Sequence, residues 1–163
     1  MSNNGGSLVI ALLSLMGCWV MQGILVQLLP WAWGVPDLTL IAFVLTVGAA
    51  PQRWVMLSTV AGLLTVVWMI RAPTQLLVSY LLFGGMIRLL SGRWDVADQR
   101  VQVLLAGFGS VVTLMATLWQ EDAWSLSLVG GLGLRAVMTG LAVPVIRWML
   151  LIITRQRRWD VDG

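Results

Sequence analysis

The sequence contains no histidine and no lysine, a single cysteine, Cys18, and only seven acidic residues among its 163. Each shortage excludes a chemistry. Without histidine, an ordinary zinc site or a serine or cysteine triad cannot be assembled, and one cysteine cannot close a disulfide within the chain. No catalytic residue, metal ligand or cofactor is assigned, and catalysis is not expected. Charge is scarce as well: 10% of residues are charged, against roughly a quarter in soluble domains. All ten basic residues are arginine, and they sit singly between apolar runs or near the C-terminus. The isoelectric point near 10.5 therefore does not signal a nucleic-acid face.

What remains is apolar. Hydrophobic residues make up 59% of the chain, and the mean hydropathy is +0.90. These values belong to a protein of the bilayer. Ten tryptophans are present, and Trp31, Trp33, Trp54, Trp94, Trp119, Trp124 and Trp148 stand at or near the ends of the apolar runs. Tryptophan, apolar in body and polar at one edge, collects at the headgroup level.

Prolines, charges and turn residues divide the chain into six segments, 8–29, 38–50, 54–70, 74–90, 101–119 and 126–153. The expected fold is a single polytopic domain spanning 1–163, an all-α integral membrane protein with six transmembrane helices. The second segment is short: thirteen residues rise about 20 Å, less than the roughly 30 Å of hydrocarbon. It must borrow flanking residues, thin the bilayer or sit against protein. The sixth is over-long, and Pro144 marks a place for a kink. The stretch 91–100, the most polar inside the chain, reads as a solvated loop.

Orientation follows from the arginines. With the N-terminus inside, Arg53, Arg88, Arg93, Arg100, Arg155, Arg157 and Arg158 fall on the cytoplasmic side and only Arg71 outside. By the positive-inside rule both termini are cytoplasmic.

Arg135 lies about ten residues into the sixth segment, where an unpaired arginine costs about 2.5 to 3.5 kcal/mol on insertion scales. Two readings are open. It pairs with an acid, Asp37 being the best placed because it follows Pro36 at the start of the second segment, or it snorkels or lines a polar groove. Arg147, closer to the cytoplasmic end, is expected to snorkel. Small residues recur at four-residue spacing as Ser58 and Gly62 and as Ala136 and Gly140. Such pairs let helices approach closely, and packing within the chain is the expected use, ahead of an oligomer interface.

The segment Gly34-Val-Pro-Asp-Leu-Thr-Leu-Ile41, with a tryptophan-containing loop before it, resembles the rod shape-determining protein MreD family. Pro51-Gln-Arg53, Ala61-Gly-Leu-Leu64, and Pro73 with Leu76, Leu77 and Tyr80 follow the family's order of hairpin turn, Gly-Leu-Leu segment and next outer turn. The sequence departs from the family at Val35, where a basic residue is common, and at Thr65 to Val67, where an acid is common.

The resemblance implies a non-catalytic scaffold of the bacterial cytoplasmic (inner) membrane that serves cell shape and peptidoglycan synthesis. The implied partner is a membrane-anchored MreC-like protein, linking MreB filaments indirectly to RodA and penicillin-binding protein 2. A partner surface is expected at Pro36, Asp37, Leu38 and Ile41, rimmed by Trp31 and Trp33. Two rival readings stand beside it. One is a substrate-binding subunit of a vitamin transporter, its outer pocket drawn from Trp31, Trp33, Asp37, Arg71 and Arg135. The other is an accessory subunit of a respiratory or photosynthetic complex.

Overall fold

A computed structural model describes residues 4–28, 35–68, 73–118 and 126–159, and all of its regular structure is helical. Six α-helices follow one another: α1 (Asn4–Leu28), α2 (Leu38–Ala49), α3 (Trp54–Trp68), α4 (Pro73–Leu90), α5 (Gln99–Leu118) and α6 (Leu126–Trp159). Each lies over one of the six apolar segments. Among the described residues three stretches are long and apolar enough to cross a membrane, Leu8–Leu28, Pro73–Leu90 and Val129–Ile152. A fourth is gained if α2 and α3, bent by 117° at Pro51, count as one broken span.

α2 sits at the centre. Every residue from Leu38 to Val47 is buried, and the helix touches each of the other five. Its sequence explains why: the two threonines among the apolar residues sit inside as well, and Thr46 satisfies its hydroxyl by donating to the Phe43 carbonyl at 3.0 Å. A helix apolar on all sides is kept from water by protein or by lipid, and here the other five helices enclose it. The enclosing shell is aromatic on one side, where the Phe43 ring meets Tyr80 edge-on at 5.3 Å and Phe83 at 6.2 Å.

Because lipid is as apolar as leucine, burial against protein brings little transfer free energy here, and close packing has to supply the attraction. The small residues provide it. A Cβ on Gly84 of α4 would collide with the Ser58 hydroxyl of α3, and one on Gly62 would lie 2.9 Å from Leu77. In the α5 and α6 pair, Gly107 approaches the Ala136 carbonyl and Gly140 approaches Val103, both at a built-Cβ distance of 3.4 Å. Ser58, Gly62, Ala136 and Gly140 thus all serve contacts inside the chain.

α6 runs 34 residues, about 50 Å, and continues as a helix through Pro144. α1 is more peripheral, exposing Val9, Leu13, Met16, Val20 and Ile24 along its outer side.

In the loop 91–98, Ser91 is half-buried and the rest is exposed except Val96, which is 3% exposed. Gly48 lets this loop close on the end of α2, since a Cβ there would stand 3.1 Å from the Val96 carbonyl oxygen. Asp95 and Asp98 shape the turn by accepting from the backbone N–H groups of Ala97 and Arg100 at 3.0 and 2.9 Å.

Candidate functional site

Asp37 caps α2. Pro36 precedes it, and its side-chain Oδ1 accepts from the Leu40 N–H at 3.0 Å, meeting one of the donors that a helix start leaves open. Its second oxygen, Oδ2, accepts from Arg135 Nη2 at 3.2 Å, with the two side chains only 8% and 13% exposed. The pairing considered from sequence is thus formed directly. Two more contacts complete the junction: the Asp37 N–H donates to Thr139 Oγ1 at 3.0 Å, and the Leu38 N–H donates to Gln22 Oε1 at 2.6 Å.

Arg135 and Thr139 share one face of α6 because they are four residues apart. One polar junction therefore ties α1, α2 and α6 together. Arg135 Nε is buried and has no partner among the described residues. Beyond it, Thr65 Oγ1 donates to the Tyr80 hydroxyl at 3.2 Å, and Trp19 Nε1 donates to the Leu64 carbonyl at 2.6 Å.

This arrangement corrects the expected partner surface. Asp37, Leu38 and Ile41 are 6%, 3% and 0% exposed, and Pro36 is half-buried, so the protein's own helices cover the patch. The physical reason is that α2, twelve residues long and buried from Leu38 to Val47, is enclosed by the other five helices. Trp31, Trp33 and Arg71 lie outside the described residues.

A second correction concerns Arg147. Instead of only snorkelling, its Nη1 donates to the Ala97 carbonyl and to Gln102 Oε1, both at 3.1 Å, fastening the loop to α6. Sequence reasoning passed over Gln22, Thr139 and Gln102. Their signals were present but weak: a glutamine inside an apolar helix, a threonine one turn past a buried arginine, and a glutamine one turn beyond an acidic loop.

Among the described residues no three histidine, cysteine or carboxylate side chains gather as a metal site would require. Two open cavities stand out among the described residues. One, of about 330 Å³, is an apolar cleft between α1 and α6; the other, of about 410 Å³, lies beside Arg147 and Gln102. Neither includes Asp37 or Arg135. Compared with protein-family models, curated proteins and solved structures, the chain finds no match in any of the three.

Proposed function

We propose that the chain is a non-catalytic scaffold subunit of the bacterial cell-elongation (rod) complex, acting by binding an MreC-like partner in the cytoplasmic membrane. The observation that carries this reading is the use of the Pro36-Asp37-Leu38 turn. The residues on which the MreD resemblance rests are the ones that join α1, α2 and α6. Their polar atoms are spent on this chain's own groups, as suits a rigid body that presents surfaces to other membrane proteins.

In this reading the six helices make six crossings, with both termini cytoplasmic, as the arginine distribution favours. The partner then docks on faces other than the enclosed turn, or on the tryptophan loop at 31 and 33.

Copurification from native membranes tests the proposal. Recovery of an MreC-like protein together with RodA or penicillin-binding protein 2 is the expected result. A bound vitamin would move the assignment to a transporter subunit, and pigment-binding or redox subunits would move it to an accessory role. Either outcome, or purification without any cell-wall protein, would sink the scaffold reading.

A further inference from the structure

The apolar cleft between α1 and α6 and the cavity beside Arg147 share Ile10, Ser14 and Leu150 in their walls, so the two lie side by side. The two ends differ in chemistry. Along α1 the cleft follows Ile10 to Met21, a rise of about 16 Å, and faces Ile146 and Met149 across the gap. Nothing lies within 4 Å of the place a Gly17 Cβ would occupy, so the cleft is open at its middle. The other end holds Gln102 and Arg147.

Arg147 has donors to spare. Its Nη1 is committed to Ala97 and Gln102, which leaves the Nη2 and Nε edge of a five-donor fork without a protein partner among the described residues. On α6 the same direction leads to Arg155, Arg157 and Arg158. An apolar furrow ending at a guanidinium with free donors matches a molecule with a hydrocarbon chain and an anionic head.

We infer that this cleft binds one anionic phospholipid, an acyl chain lying along Gly17 between α1 and α6 and the phosphate held by Arg147. The inference stands whichever complex the chain serves.

The full-length protein, released from detergent micelles and titrated with dioleoyl phosphatidylglycerol or dioleoyl phosphatidylcholine, tests it by native mass spectrometry. One phosphatidylglycerol should be retained, with about fivefold preference over phosphatidylcholine, the worth of one arginine at an anionic surface. Arg147→Gln should abolish the preference while leaving both lipids able to bind. Because Arg147 also fastens the loop, Gly17→Leu supplies an independent arm. It adds bulk where there is open space, and it should lower retention of both lipids roughly tenfold, the equivalent of about two displaced methylene groups. Equal retention of the two lipids by the unaltered protein, or no effect of Gly17→Leu, would overturn the site. A dimer that Gly17→Leu dissociates would overturn it too, assigning the cleft to a second copy.

Discussion

Replacing Asp37 by asparagine and Arg135 by methionine, singly and together, measures what the ion pair contributes. Asparagine is as good an N-cap as aspartate, so Asp37→Asn keeps the contact to Leu40 and removes only the charge. At the observed 3.2 Å, two unit charges attract by about 5 kcal/mol at an effective dielectric of 20. Desolvation of each ion offsets much of that. A net coupling of about 2 kcal/mol is left, within the range found for residues in contact, or roughly 30-fold in the folding equilibrium. Asp37→Asn alone strands Arg135 in a low-dielectric site and should cost about 3 kcal/mol. Arg135→Met strands the carboxylate at a similar cost. The double variant should be less destabilised than the sum of the two by that coupling. Unfolding in bicelles with increasing sodium dodecyl sulfate, followed through the fluorescence of the ten tryptophans, gives the four free energies. Costs below about 0.5 kcal/mol for each single change, adding without interaction, would refute the pair as a structural link.

The α3 and α4 contact makes a separate prediction. Gly84→Ala, whose new methyl falls on the Ser58 hydroxyl, should cost about 1 to 3 kcal/mol in the same unfolding assay, and Ser58→Ala should restore most of it. Ser58→Ala alone should be near neutral, since that buried hydroxyl has no partner among the described residues. For topology, a reporter fused after Gly163 should be active in the cytoplasm. In a Cys18→Ser background, a cysteine at Ala123 should react with an impermeant thiol reagent from outside, and one at the exposed Ala97 only after permeabilisation. Protection at 123 with labelling at 97 in intact cells would invert the orientation.

The helices were legible because membrane segments are punctuated by prolines, charges and tryptophans that the backbone obeys directly; the expected second segment, 38–50, differs from α2 by one residue. The pairing of Asp37 with Arg135 could be framed from cost alone, since an arginine at that depth needs a partner. Which helices surround α2 could not. In a chain where lipid-facing and protein-facing positions are both apolar, no alternation of polarity marks the inner face. The contacts are chosen by shape, as where Gly109 admits the ring of Phe83 at a built-Cβ distance of 2.6 Å. Hence the turn that looked like a docking surface proved to be interior. Arg147 was misread for a related reason: snorkelling is the ordinary habit of an arginine near a helix end, and the folding back of the loop depends on Gly48 and Val96, which carry no charge to announce it.

The junction at the start of α2 also sets an order on the chain's biogenesis. Gln22, which meets Leu38, is already made when α2 emerges, only 16 residues behind it. Arg135 comes 98 residues after Asp37, and Thr139 lies 102 residues from it. At translation rates of about 5 to 20 residues per second, the carboxylate of Asp37 waits roughly 5 to 20 s for its counter-ion. During that interval α2 is a short apolar rod with a charged tip, held by α1 alone among its eventual polar anchors. The junction is complete only once the sixth helix has been made, so α6 supplies the polar contacts that lock the second helix in place.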